Sequence, residues 1–146
     1  DQGRIAGANM VGRPVAYRGS LATNILDVQG LDVCSLGNWS GEGLETAALV
    51  NETMPNYRKL VWRGQRLVGA ILVGPSEVVS GLNDVGMAKG LIQSRVPLGP
   101  WKAYLQQNPL DLRRPYVALK VAAGFLKTTL LGEPMPGRGY QPPPTS

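Results

Sequence analysis

Short apolar runs separated by turn residues occupy the middle of the chain. They lie at 24–28, 31–36, 46–50, 57–62 and 66–73. Gln29-Gly30 separates the first two runs and Arg63-Gly64-Gln65 separates the last two, and glycine-containing links of this kind predict antiparallel hairpins. Residues 57–62 alternate apolar with basic side chains, which predicts a half-exposed strand. The continuous apolar run 66–73 is expected to lie inside the sheet.

Helical patterns flank these runs. The residues at helical spacing near the start are Ile5, Ala6, Asn9 and Met10, with Gly12 as a stop signal. Ser76 is predicted to cap a second helix that runs to about Lys89, and Pro115 to open another that covers about 116–126. The inward residues of the second helix are predicted to be Val78, Val79, Leu82 and Val85. Together the patterns predict an α+β fold, a small antiparallel sheet flanked by helices.

Composition narrows the chemistry that this chain can perform. It has 146 residues, enough for one ordinary core, and contains one cysteine and no histidine. A single cysteine excludes an internal disulfide and a redox-active cysteine pair, and the absence of histidine removes the commonest general base and metal ligand. Cys34 alternates with Asp32 and Leu36, so we expect it to be a buried small side chain. No apolar run is long enough to cross a membrane.

The acidic residues are scattered and suggest no catalytic pair. The ones considered are Glu42, Glu45, Glu52, Glu77 and Asp84. No serine has a histidine to activate it, and no nucleophile elbow is present. We therefore expect no autonomous active site, and assign no catalytic, cofactor-binding or metal-binding residue within this chain.

Four segments carry a family resemblance. They are QGRIAGANMVG at 2–12, Tyr17-Arg18-Gly19, LDVQGLDVCSLG at 26–37 and YRKLVWRGQRLVGAILVG at 57–74. In order and spacing they resemble the C-terminal end of FAD-dependent pyridine nucleotide-disulfide oxidoreductases, in the branch of NAD(P)H nitrite reductase and rubredoxin reductase flavoproteins.

The resemblance implies a division of the chain into three parts. Residues 1–16 would be the last helix of an FAD domain. Residues 17–131 would be the C-terminal α+β domain, which in this family packs over the flavin region and takes part in dimer or partner contacts. The Pro- and Gly-rich residues 132–146 are expected to be extended or disordered.

The family binds FAD and NAD(P)H through GxGxxG turns that open helices, and this chain contains no such motif. We therefore expect FAD and NAD(P)H in the complete enzyme, but none on this chain alone. The cofactor-binding portion would lie upstream or in a separate subunit. The resemblance implies a cytoplasmic electron-transfer enzyme in which this chain is the C-terminal interface and partner-docking part. The resemblance is also compatible with an oligomeric protein.

The charge balance of +5 suggests a docking partner. Its candidate residues form a basic face of Arg58, Lys59, Arg63 and Arg66. Such a face would attract a small acidic electron carrier, such as rubredoxin or ferredoxin. The other interpretation is an ordinary solvated surface. Nucleic acid is not an expected partner, because no stacking motif, helix-turn-helix or zinc finger accompanies the charge.

A second hypothesis for the whole chain stays open at this point. The chain could be a stand-alone interaction or assembly subunit of a redox complex that has lost the cofactor sites. It predicts a folded, colourless protein, whereas the first hypothesis predicts a flavin-binding assembly.

Overall fold

A computed structural model describes residues 2–17, 19–53, 55–79 and 84–125. Some predictions concern parts of the chain outside these residues. They are the inward position of Leu82, the inward side chains of Val78 and Val79, and the tail 132–146. The helices are α1 (Gln2–Met10), α2 (Ser76–Val79), α3 (Asp84–Ser94), α4 (Pro100–Gln107), α5 (Arg113–Ala118) and α6 (Val121–Phe125). The strands are β1 (Thr23–Val28), β2 (Leu31–Gly37), β3 (Glu45–Asn51), β4 (Asn56–Arg63) and β5 (Arg66–Pro75).

The five strands form one antiparallel sheet in the order β1-β2-β5-β4-β3. The turn between β1 and β2 places Gln29 and Gly30 at φ 53° and 83°, as a type I′ hairpin requires. The predicted α+β fold is confirmed. The strand after Gly64 lies at the centre of the sheet, as its apolar sequence predicted.

One face of the sheet is buried beneath helices, and we call it the covered face. It carries alternate residues of the inner strands, among them Cys34, Leu72 and Leu60. The helices and the links between them contribute Ala88, Leu91, Leu98, Leu105, Leu112 and Val121 to the same core. Cys34 is fully buried there, as its alternation predicted. None of the helices in the described ranges has the length and apolar content that a bilayer-spanning helix needs.

The opposite face, which we call the open face, carries side chains outside that core. One row across it consists of Leu26, Val33, Val73, Tyr57 and Val50. Within residues 19–124 these side chains are half-buried or exposed, up to 66% for Val50. A loop lies over one end of this face at Gly69, where any Cβ would collide with the Asn38 carbonyl. Within the described residues of 19–124, the open face therefore carries an apolar row that no helix buries.

Helix α1 belongs to a separate compact unit from Gly19–Gly124. It ends as predicted at Gly12, which takes φ 80°. The Asn9 side chain then holds the following segment, since its amide oxygen accepts from Val15 N at 2.7 Å and its Nδ2 donates to Val15 O at 3.0 Å. Among the α1 residues only Ala8 is buried.

Two predictions about local structure are wrong. The helix expected over 116–126 is broken, because α5 ends at Ala118 and Lys120 adopts φ 50° before α6 begins at Val121. The break turns Val121 into the core while Val117 stays 64% exposed. Strand β4 is not half-exposed either, because the bulge near Val61 and the overlying loop bury Val61 beside Trp62.

Candidate functional site

The predicted basic face does not exist as a single surface. Arg58 and Lys59 are neighbours on a strand, so their side chains leave opposite faces of the sheet. Arg58 lies on the covered face and is 1% exposed. Its inclusion in a docking surface is therefore wrong, because a partner in solution cannot reach it.

Lys59 lies on the open face and is half-buried. Its Nζ donates a hydrogen bond to the Ser40 carbonyl oxygen at 2.8 Å, which ties β4 to the loop that covers the end of this face. The aliphatic part of Lys59 packs along the sheet while its ammonium binds backbone. Lys59 therefore supports the loop as well as adding charge.

Arg63 and Arg66 remain as an exposed basic pair, which we call the hairpin tip. They are directly opposite each other on β4 and β5, joined by the two-residue turn Gly64-Gln65. The tip is held in place because Leu98 N donates to the Gln65 carbonyl at 2.7 Å. Within the described part of the chain neither guanidinium forms an ion pair. Like charges opposite one another on a sheet repel, so an acidic partner would relieve this repulsion.

Arg58 instead forms a buried ion pair with Asp84. Its Nη2 donates to the Asp84 carboxylate, at the first residue of α3. Burial raises the pKa of the Asp84 carboxyl, and the attraction of Arg58 only partly opposes it. Burial likewise lowers the pKa of Arg58. Both shifts show that desolvation outweighs the attraction within the pair, as is usual for buried ion pairs.

The ion pair is part of a polar cluster that anchors helices to the covered face. Ser76 Oγ, at the start of α2, donates to the buried Asp32 carboxylate at 3.0 Å. The predicted capping hydroxyl of Ser76 is thus bound to the sheet. Cys34 lies between Asp32 and Leu36 on β2, and its burial raises the pKa of the thiol. In the described residues this cluster positions α2 and α3 and presents no reactive group to solvent.

The helical layer contains a second polar cluster, between α4 and α5. Tyr104 OH donates to Asp111 at 2.6 Å, and Arg114 donates to Tyr104 OH at 3.1 Å. The hydrogen bond from Tyr104 lowers the pKa of the Asp111 carboxyl and raises the pKa of the Tyr104 hydroxyl. Spacing in sequence does not reveal this cluster, because its members come from two elements joined by a turn.

Comparisons with known proteins agree with this architecture. Residues 23–85 match the model of the rubredoxin NAD+ reductase C-terminal domain. The solved structure of an NAD-dependent persulfide reductase from A. fulgidus is similar, with a TM-score of 0.54 and 21% identity over 88% of this chain and 28% of that one. This chain thus spans 28% of the length of that reductase, and at this identity the likeness shows a shared fold. A comparison with curated proteins finds no match.

The matched region contains all five strands and the start of α3. Over these residues the match confirms the resemblance seen in the sequence, to the C-terminal domain of a pyridine nucleotide-disulfide oxidoreductase. Within that class, the family model that it matches is the one from rubredoxin NAD+ reductase. The sheet and both candidate surfaces, the open face and the hairpin tip, lie inside the match.

We expect Asp84→Ala to destabilise the fold by ~3–5 kcal/mol, because it leaves the Arg58 guanidinium buried without its counter-ion. The double variant Arg58→Met/Asp84→Ala should lose less free energy of unfolding, since it removes both buried charges. Urea unfolding followed by circular dichroism measures the free energies. The ion pair of the half-buried Lys102 with Glu45, whose side chain is 57% exposed, is the control, and Glu45→Ala should cost about 1 kcal/mol. Equal losses in the single and double variants would contradict this account.

The Asp84 carboxyl should also give stability a pH dependence. Since folding raises its pKa, the folded protein binds this proton more tightly than the unfolded chain does. Its contribution to the free energy of unfolding therefore falls as the pH rises from about 3.8, the ordinary pKa, through the raised value. We expect Asp84→Asn to remove this slope, whereas Glu42→Gln, at an exposed carboxylate, should keep it. Urea titrations across this pH range measure both, and an unchanged slope in Asp84→Asn would refute the assignment.

Proposed function

We propose that this chain is the C-terminal interface part of an FAD-dependent NAD(P)H oxidoreductase. The observation that carries the proposal is the family match, which covers a sheet whose second face is apolar and has no helical layer of its own. FAD and NAD(P)H are held by another portion, either upstream or in a separate subunit. The chain's own role is to pack against that portion and to receive a partner.

The open face is the surface that contacts the FAD/NAD-binding portion. Its row from Leu26 to Val50 crosses all five strands and is uncharged, and Lys59 lies in the neighbouring row. Because the Lys59 ammonium already binds the Ser40 carbonyl, this face favours an apolar surface over an anion. An exposed apolar patch of this kind is typical of an interface between domains or subunits.

The hairpin tip is the site for an acidic electron carrier. Arg63 and Arg66 are exposed, opposite one another, and held on a turn that is hydrogen-bonded to residue 98. A rigid pair of guanidinium groups attracts carboxylates over a distance set by salt screening, which raises the association rate. The tip therefore steers the carrier towards the enzyme, and the chemistry takes place on the bound flavin.

The first test uses the full-length protein. We expect it to show visible flavin absorbance and to oxidise NAD(P)H. Val73→Lys, in the middle of the apolar row, should lower the bound flavin and the oxidation rate by about tenfold or more, because an unpaired ammonium would be buried against the other portion.

The control for this test is Val117→Lys, which makes the same change at a position that is 64% exposed on α5. It should leave flavin content and rate unchanged. Circular dichroism checks that both variants are folded. If neither the full-length protein nor its assembly with a separate FAD-binding subunit contains flavin, the result supports the stand-alone interaction module. An unchanged Val73→Lys variant would remove the open face from the interface.

The second test concerns the hairpin tip. Arg66→Gln should raise the KM for rubredoxin or ferredoxin about tenfold at low salt and weaken the salt dependence of the rate. Oxidation of NAD(P)H with a small neutral dye should not change. Arg113→Gln, at an exposed arginine on α5, is the matched control.

The same substitution separates docking from folding. Because it removes a like-charge contact with Arg63, Arg66→Gln should leave the protein as stable as the wild type or more so, by about 0.2–1 kcal/mol. A loss of carrier turnover together with retained stability supports docking. If the KM and its salt dependence are unchanged, the tip is an ordinary solvated surface.

A further inference from the structure

Trp39 is an exposed tryptophan on the loop that lies over one end of the open face. This loop consists of residues 38–44 between β2 and β3, and we call it the crossing loop. Trp39 is 47% exposed, although tryptophan is on average one of the more buried residue types. The other two tryptophans of the chain, Trp62 and Trp101, are buried and half-buried. An exposed indole of this kind is a candidate contact for another molecule.

The backbone of the crossing loop is fixed on both sides of Trp39. Before it, Asn38 N donates to a carbonyl oxygen of β5 at 2.9 Å, and after it the Ser40 carbonyl accepts from Lys59 Nζ at 2.8 Å. The loop lies so close to the sheet that a Cβ on Gly69 would be 2.8 Å from the Trp39 nitrogen. Because the backbone is already ordered, binding through the indole would lose little conformational entropy.

The crossing loop and the hairpin tip are neighbours on the same side of the sheet. The side chains of Trp62 and Leu67 face the core, so the arginines next to them in the tip leave from the open face. Gly69, which lies against the backbone of Trp39, is three residues from Arg66 along β5, at most about 10 Å at the rise of a strand. The indole and the two guanidinium groups can therefore meet one partner together.

We propose that Trp39 is the apolar anchor for the small acidic electron carrier that the hairpin tip attracts. This inference rests on the docking role proposed for the tip, and it adds the short-range contact that charge alone does not supply. Tryptophan and arginine are prominent among the side chains that dominate the binding energy of protein interfaces. The surface of the carrier that fits here is an apolar spot bordered by carboxylates.

Position and charge favour the carrier over the FAD/NAD-binding portion as the occupant. The crossing loop lies over Gly69 and Val61, next to the tip, whereas the apolar row proposed for the other portion passes through Val73, two rows further along the sheet. Glu42 is exposed where the crossing loop leads towards β3. The carboxylates of a partner are repelled by Glu42 and attracted by the tip, which orients the carrier over Trp39.

The indole and the arginines should control different rate constants. Exposed charges act at long range and set the association rate, whereas loss of an apolar contact acts mainly on the dissociation rate. The experiment measures both rates for the full-length protein on immobilised rubredoxin, from about 20 to 200 mM salt, a range in which screening of exposed charges changes strongly.

We expect Trp39→Ala to raise the dissociation rate about tenfold at every salt concentration and to leave the association rate within about twofold of the wild type. Trp39→Phe keeps part of the apolar area and should raise the dissociation rate less. Arg66→Gln should instead slow association and weaken its salt dependence.

The matched control is Leu110→Ala, which truncates an apolar side chain that is 38% exposed between α4 and α5. It should change neither rate. Bound flavin should be the same in all variants, and circular dichroism checks that they are folded. Hydroxyl-radical footprinting read by mass spectrometry gives a second measurement, in which rubredoxin should protect Trp39 from oxidation and leave Leu110 unprotected.

The outcomes separate this inference from the docking role of the tip. If Arg66→Gln slows association while Trp39→Ala dissociates like the wild type, the tip attracts the carrier but Trp39 is not its anchor. Faster dissociation of Trp39→Ala with unchanged rates for Arg66→Gln would refute the role of the tip and retain the anchor. A wild type that does not bind rubredoxin would refute both. A loss of bound flavin in Trp39→Ala would put Trp39 against the FAD/NAD-binding portion and overturn the inference.

Discussion

The central position of β5 constrains the rest of residues 19–124. From Gly69 to Pro75 its residues alternate, so Leu72 and Ala70 face the core while Ile71 and Val73 face the other way. Register pairing then assigns a face to every residue of β2 and β4, because residues directly opposite one another share a side. The helical side chains of the hydrophobic core lie in one cluster with Leu72. Within residues 19–124 the helices cover one face of the sheet and leave an apolar row on the other, and we propose that this row contacts the FAD/NAD-binding portion.

The same alternation explains how far the sequence could predict the fold. The five strands, both tight hairpins and the C-terminal end of α1 follow from local signals, since a strand run and a glycine turn are encoded within a few residues. The break at Lys120 follows from no local signal. It arises because the side chain of Val121 is packed in the core. A continuous helix from Tyr116 would direct Val121 elsewhere. Tertiary packing overrides the helical pattern at that point.

The candidate site shows a comparable limit of local patterns. Arg58, Lys59, Arg63 and Arg66 are close in sequence and of one charge, which suggested a common surface. Strand geometry separates Arg58 from Lys59, and the partner that makes Arg58 tolerable in the core, Asp84, lies 26 residues away. A charge that is paired over such a distance looks unpaired in the sequence. The exposed pair at the hairpin tip could be predicted, because a turn places its flanking residues at the surface.

The polar cluster around Arg58 bears on the helical layer as well as on stability. A buried ion pair whose desolvation exceeds its attraction adds little to stability, but it penalises any arrangement that separates the two charges. Asp84 begins α3, so the pair admits one placement of that helix over β4, and the bond from Ser76 to Asp32 does the same for α2 over β2. Both helices are therefore held by polar contacts at their first residues. The open face lies on the other side of the strands so fixed, so the surface that we propose as an interface is separate from these polar contacts.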